Sequence, residues 1–327
     1  MIKVTAATGA AAAAFPGIST AGSASAASGM SGSAASSTKK VIRLNRVTPS
    51  YWRVVFDNPP LNVVATNFIR QFRDIVTELE NDDQVKVVVF ESAVDGFFLN
   101  HGDFLTVTLE DLNSIPQGPT GLAAFPDALV RLTRAPFVSI AMIQGRATGF
   151  GSELALACDM SFASREKAIL SQFEVGASIV PGGGPMARLP RLIGRGRALE
   201  VLLSSDDIRG ADAEFLGYVN RALPDAELKK FVDALANRIA SFDKYAISNT
   251  KNLVNASLPP DIEIRAGWDA FIDSFTRPEA QKRIKALLAA GLGKPGDVEN
   301  RLGFYLGKKD LNGKSDPGGR PSGDFGK

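Results

Sequence analysis

Two short runs limit the fold of this chain more than any other feature. Residues 85–92 read VKVVVFES and residues 137–145 read FVSIAMIQG. Both are rich in β-branched residues and almost continuously apolar. A strand with one wet face alternates polar and apolar residues. A strand that does not alternate is covered on both faces, as in a parallel sheet under helices. Helical patterns flank these runs. ATNFIRQFRDIVTELEND places Phe68, Phe72, Ile75 and Leu79 on one face. A second helix is expected from about residue 121 to Arg134, stopping before Pro136. VIRLNRV and YWRVVFDN read as strands joined by the turn TPS, and MSFAS as a further strand. Strands and helices alternating through short connections define an α/β domain. From about Asp225 only helical patterns remain, in AELKKFVDALANRIASF and IRAGWDAFIDSFTRPEAQKRIKALLAAGL.

The expected organisation has four parts. Residues 1–38 form an Ala/Ser-rich tail, 39–225 the α/β core, 226–293 a helical module, and 294–327 a flexible extension rich in Gly, Lys and Pro. The tail cannot bury enough apolar surface to order itself. Lys3 before an alanine run and ASA at 24–26 leave a secretory signal open, and the absence of Asp or Glu before Asp57 leaves an organellar presequence open. Pro16, the lack of Leu and the lack of Arg before Arg43 favour disorder.

Composition removes several functions. The net charge is +2 with Lys and Arg spread along the chain, so no basic field would recruit nucleic acid. No run of 18 apolar residues is present to span a membrane. One cysteine, Cys158, and one histidine, His101, exclude an internal disulfide and Cys- or His-rich metal sites. Cys158 reads as a packing residue, and Trp52 and Trp268 as core or interface.

The stretch ATGFGSELALACDMSFASREKAILSQFEVGASIVPGGGP, residues 147–185, carries Glu153 and Glu174 among apolar neighbours with no basic partner adjacent. Glutamate is rarely buried unless it is paired or working. Either these side chains reach solvent or a site is built around them. The glycines at 182–184 are not a phosphate loop, because no G-K-[ST] follows; they suit a close pass of the backbone beside a pocket. The run RLPRLIGRGR suits either phosphate contact or a solvated helix face.

Four segments in this order resemble the enoyl-CoA hydratase/isomerase (crotonase) family over roughly residues 40–293. FDNPPLNVV resembles its early turn, with Asn62 in place. GFFLNHGDFL resembles its first oxyanion turn, commonly F-x-A-G-x-D. APFVSIAMIQGRATGFGSELALACDMSFAS resembles its signature, and FEVGASIVPGGGPMARLPRLIGRGRALEVLLSS the P-E-x-x-x-G-x-x-P-G-x-G-G-x-x-R-L segment. The resemblance implies a spiral of ββα units, a C-terminal helical module that makes trimers or dimers of trimers, and an acyl-CoA substrate with no separate cofactor. It implies that the backbone N–H groups of Gly102 and Phe150 hold the thioester oxygen, and that His101 and Asn62 border the substrate; read by itself, the lone His101 is a satisfied structural histidine. Glu153 would deprotonate the water that adds at C3, and Glu174 would protonate C2. The activity implied is hydration of a 2-enoyl-CoA. Other crotonase reactions (isomerisation, hydrolysis, decarboxylation) and a non-catalytic binder are the alternatives. A CoA substrate implies cytoplasm or an organelle matrix, with export left open by the tail. The chain departs from the family pattern at Phe150 for the middle glycine, His101 for the residue before the oxyanion donor, and Phe173 for proline.

Overall fold

A computed structural model describes residues 39–308 and Leu311. The tail 1–38 and most of 309–327 lie outside the described residues, and the expectations for them go with them.

The described residues hold ten strands: β1 Ile42–Thr48, β2 Tyr51–Phe56, β3 Val87–Ser92, β4 Phe97–Leu99, β5 Val138–Ile143, β6 Arg146–Thr148, β7 Met160–Ser164, β8 Ile169–Ser171, β9 Ile208–Arg209 and β10 Arg221–Leu223. They form two sheets. The larger has the order β1-β2-β3-β5-β7-β10 and the smaller β4-β6-β8-β9. β1 and β2 are an antiparallel hairpin, and every other neighbour in the larger sheet is parallel. Each turn of chain gives one strand to the large sheet, then a short strand to the small one, and returns through helix. Thus β3, β5 and β7 lie side by side, and so do β4, β6 and β8. This is a spiral of ββα units.

The non-alternating strands now have a cause. Val88 and Phe90 of β3 face one way, into the main core with Phe68, Phe72, Val76 and Leu79 of the helix Thr66–Glu80. Val87 and Val89 face the other way, onto Leu228, Val232 and Ala236 of the helix Asp225–Ala240. Both faces are dry, so both sets of side chains are apolar. Full burial of each such side chain contributes about 1.5–3 kcal/mol. Trp52 lies in the main core, Cys158 packs at its edge, and Trp268 packs partly buried between the core and the C-terminal helices.

The C-terminal helices Asp261–Phe275 and Pro278–Ala290 pack against Phe173, Ala177 and Ile179 of the spiral. The expected boundary at 293 needs correction. The chain continues as the short helices Asp297–Asn300 and Leu302–Leu306, and Val298, Glu299, Leu302 and Leu306 are buried. Val298 on the first of these helices and Leu302 and Leu306 on the second close on the same core.

Candidate active site

Two backbone N–H groups are left over by the way the spiral turns. After β4, residues 101–103 run beside Val64: Val64 N donates to His101 O and Asp103 N donates to Val64 O, both at 2.9 Å. The intervening amide of Gly102 has no acceptor among the described residues. On the next turn, Gly149 at φ +53 reverses the chain from β6 into the helix Phe150–Ala157. Phe150 is the first residue of that helix, and its N–H is one of the unpartnered donors that every helix start presents. It too has no acceptor among the described residues. The helix thus starts within the glycine-flanked turn at 149–151.

The two donors belong to different spiral turns but are held close. A Cβ at Gly151 would overlap the carbonyl of Leu99, so backbone meets backbone there. A Cβ at Gly102 would stand 3.2 Å from the Phe150 ring. Phenylalanine is tolerated at 150 because the positive φ falls on Gly149.

Gly102, Phe150, Glu153 and Glu174 all line one cavity, which encloses about 530 Å³ of empty space partly open to solvent. Its remaining wall is mostly apolar, with Phe104, Phe173, Ile179, Phe271 and Phe275, and among the described residues no Lys, Arg or His lines it. The C-terminal helix Asp261–Phe275 supplies the last two rings, so the module beyond the spiral completes the cavity.

Glu153 is 1% and Glu174 5% exposed. Glu153 projects from the first turn of its helix, with its amide donating to Gly149 O at 2.9 Å. Its Oε1 accepts the Gly183 N–H at 2.6 Å, while Oε2 has no donor among the described residues. Glu174 follows β8, and its Oε2 is also without a donor. Burial pushes the Glu153 carboxyl up to about 7, against the Gly183 and Gly182 amides and the Arg188 charge that draw it down. Burial raises Glu174 well above the ordinary carboxylate range, and the neighbouring Glu153 charge raises it further. Two carboxyl groups in one dry cavity do not ionise independently.

His101 and Asn62 do not line this cavity, which corrects their expected place beside the substrate. Asn62 is fully buried, at φ +52, a conformation asparagine tolerates. Its Oδ1 accepts Asn58 N at 2.7 Å, and its Nδ2 donates to Ser92 Oγ at 2.8 Å and Phe98 O at 3.0 Å. It fastens the early turn to β4. His101 is fully buried, with Nδ1 2.7 Å from Gly102 O and Nε2 3.0 Å from Glu299 Oε1. A side chain that bonds backward to the C-terminal segment points away from the substrate.

Asp103 lines the cavity, yet its carboxylate accepts the Leu105 and Thr106 amides and the Thr106 hydroxyl, so it fixes the turn. In the arginine run, Arg188 is buried and Arg191 pairs with Glu263 at 2.7 Å. Gly183 as a donor to Glu153, the aromatic residues Phe271 and Phe275, and the partner Glu299 were not identified from sequence. Only Gly183 left a signal, in the glycine run.

The family model for enoyl-CoA hydratase/isomerase matches residues 49–291. This chain belongs to the enoyl-CoA hydratase/isomerase family. Within the family, the short-chain-enoyl-CoA hydratase of Clostridium acetobutylicum is 28% identical over 239 residues, which are 72% of this chain and 90% of that protein. The crotonyl-CoA hydratase of Syntrophomonas wolfei is 30% identical over 240 residues, with the same coverage of 72% and 90%. A crystal structure from Streptomyces avermitilis, assigned provisionally as an enoyl-CoA hydratase, superposes with a TM-score of 0.78 at 39% identity, covering 82% of this chain and 96% of that one. The fold is accordingly the crotonase spiral with its C-terminal helices.

Proposed function

We propose that this enzyme hydrates 2-enoyl-CoA thioesters reversibly to 3-hydroxyacyl-CoA thioesters. The observation that carries the reading is one cavity holding two free backbone donors and two buried carboxyls, each with an open oxygen. The thioester oxygen fits between the Gly102 and Phe150 amides. As water adds, negative charge grows on that oxygen, and preorganised donors in a dry site favour the enolate over the starting thioester. Phe150 lies at a helix N-terminus, which adds positive potential.

The two carboxyls divide the proton work. Glu153, raised to about 7, is partly ionised near neutrality and takes a proton from the water whose oxygen bonds to C3. The C2=C3 electron pair moves into the enolate. Glu174, held further towards its protonated form, gives a proton to C2 and the enolate collapses to the thioester. One water is gained overall, and the proton on Glu153 returns to Glu174 before the next turnover. No further cofactor enters this scheme, since CoA arrives on the substrate.

An uncharged, apolar acyl group suits the cavity. An acyl carboxylate would meet aromatic rings and the like-charged Glu153 and Asp103, with no cation among the described residues of the wall. We further propose a homo-oligomer of three or six chains. Tyr245, Leu253, Val254 and Ile262 of the helical module stand 76%, 79%, 67% and 68% exposed, a surface that a second copy would cover. The same reading puts the enzyme where CoA thioesters occur, in cytoplasm or an organelle matrix; no described helix is long and apolar enough to cross a membrane.

The test is incubation with crotonyl-CoA, following loss of the conjugated enoyl-thioester absorbance and gain of one water by mass. If crotonyl-CoA and longer 2-enoyl-CoA thioesters all stay unchanged, the hydratase reading fails.

A further inference from the structure

The histidine misplaced by its sequence position has a second partner set that bears on the oxyanion turn. His101 and Glu299 are both fully buried. Glu299 comes from the helix Asp297–Asn300, 198 positions away along the chain. Its Oε1 lies 3.0 Å and its Oε2 3.2 Å from His101 Nε2. The same carboxylate accepts Asn100 Nδ2 at 2.9 Å and Gly293 N at 2.5 Å. On the far side of the ring, Nδ1 stands 2.7 Å from the Gly102 carbonyl.

The protonation state follows from this geometry. A carbonyl oxygen only accepts, so Nδ1 must carry a proton. Both oxygens of Glu299 already accept donors, which suits the ionised carboxylate and, with it, a proton on Nε2 as well. The ring is then an imidazolium in a buried ion pair. Burial opposes that charge, but the Glu299 charge and hydrogen bond and the Gly102 carbonyl raise His101 overall. Burial likewise opposes ionisation of Glu299, and His101, Gly293 and Asn100 bring it down to about 2. The nearby Arg146 charge acts against the imidazolium, and Arg146 is itself bound by Asp207 at 2.7 Å and by Asn300 O at 2.7 Å. Phe104 and Phe173, both cavity residues, pack on the imidazole with ring centroids 5.5 Å away.

We propose that Glu299 is a positioning residue for the oxyanion turn: it holds His101 as an imidazolium that clamps the Gly102 carbonyl, and so fixes the direction of the free Gly102 amide. Three consecutive residues, Asn100, His101 and Gly102, are tied to this one carboxylate, directly or through the ring. No other contact among the described residues restrains the Gly102 carbonyl on its outer side except the Phe104 amide at 3.0 Å. The C-terminal segment is therefore part of the catalytic apparatus without touching substrate. The consequence for turnover rests on the hydratase reading; the consequence for the amide does not.

Because the chain has one histidine, two measurements isolate this arrangement in the intact, tag-free protein. Histidine ¹⁵N resonances should show two protonated ring nitrogens at pH 7.5, and a neutral ring there overturns the proposal. Labelling with ¹³C-carbonyl histidine and ¹⁵N glycine gives one correlated amide, that of Gly102. That signal should move in Glu299→Gln and stay fixed in the remote control Glu263→Gln. An unmoved signal in Glu299→Gln also overturns the proposal.

In turnover, Glu299→Gln should lower kcat about 10-fold to 100-fold with KM within about twofold, in line with the cost of misplacing an orienting group. The red shift of bound 2,4-hexadienoyl-CoA, which reports polarisation of the thioester carbonyl, should shrink in parallel. The double variant His101→Phe/Glu299→Met removes the pair while filling its volume, so it should keep or exceed wild-type Tm. Wild-type kcat and red shift in that stable double variant would refute positioning. A wild-type enzyme that neither binds nor shifts the probe would instead sink the hydratase reading, and the two NMR measurements would still decide this one.

Discussion

Gly183 gives its backbone N–H to Glu153 Oε1 at 2.6 Å, and a Cβ at Gly183 would overlap the other oxygen of the same carboxylate. The residue that holds the Glu153 carboxylate in place can therefore be nothing larger than glycine. Gly183→Ala must displace Glu153, and an error of about 1 Å in a reacting group costs about 10²-fold in rate. The expected result is kcat lowered about 10-fold to 100-fold with CoA-thioester affinity nearly unchanged, by steady-state hydration and by equilibrium titration. Normal kcat in this variant would mean that Glu153 need not occupy its observed position.

Glu153→Gln and Glu174→Gln should each reduce kcat about 10²–10⁴-fold, the usual contribution of an acid or base. The double variant should lose far less than the product of the two, because the carboxyls serve one reaction. Rapid-quench measurement of a single turnover checks the chemical step. Near-normal hydration by Glu174→Gln would remove Glu174 from the mechanism and favour one-carboxylate chemistry such as double-bond isomerisation.

The same burial that prepares the carboxyls weakens the fold. Glu153 binds its proton more tightly in the folded state, near 7 against 4.5 for the free side chain. Between those values the folded protein holds more protons than the unfolded one, so stability falls as pH rises through that window. Glu153→Gln should stabilise the ligand-free protein at pH 8 by roughly 1–3 kcal/mol, seen as a Tm gain of a few degrees, and Glu174→Gln should act in the same direction. The gain should shrink towards pH 4.5. A Tm difference independent of pH would show that the ionised groups are not strained by burial.

Turnover should follow the opposite sign. The base must be ionised, so kcat/KM of the wild type should decline below about pH 7, with the apparent value belonging to the pair. Glu153→Gln should flatten that limb along with its loss of rate. A wild-type profile level from pH 5 to 8 contradicts the assignment of Glu153 as base.

Crotonyl-CoA should exceed a 2-enoyl-CoA bearing a terminal carboxylate by at least about 10²-fold in kcat/KM, since burying that charge unpaired costs several kcal/mol. Introducing a cation at the wall by Phe275→Arg should narrow the gap. Equal rates on both substrates in the wild type would mean that the acyl end reaches solvent and not the Phe104–Phe275 wall.

Much of this was readable from residue order, for physical reasons. β3 and β5 declare a doubly covered sheet because both faces of each strand must be apolar. Glu153 and Glu174 stand out because a carboxylate among alanines and glycines needs an explanation. The start of the helix at Phe150 is marked by the flanking glycines, since Gly-Phe-Gly has no capping side chain and the turn depends on the backbone of Gly149. The partner of His101 was unreadable, because it is Glu299, which no local pattern links to the histidine. The helices after residue 296 were hidden by Lys, Pro and Gly around them, although Val298, Leu302 and Leu306 carry the spacing of a buried stripe.

The overlap that any side chain at Gly151 would create with the Leu99 carbonyl means that the gap between the Gly102 and Phe150 amides is gauged by main chain against main chain. Side chains around it can then change without altering the gauge. Phe150 and Phe173 reshape the acyl wall while the Gly102 and Phe150 amides keep their separation. A scaffold of this kind separates the part that sets the chemistry from the part that chooses the substrate, so new acyl preferences can be sought by substitution at 104, 173, 271 and 275 while Gly149 and Gly151 are left alone.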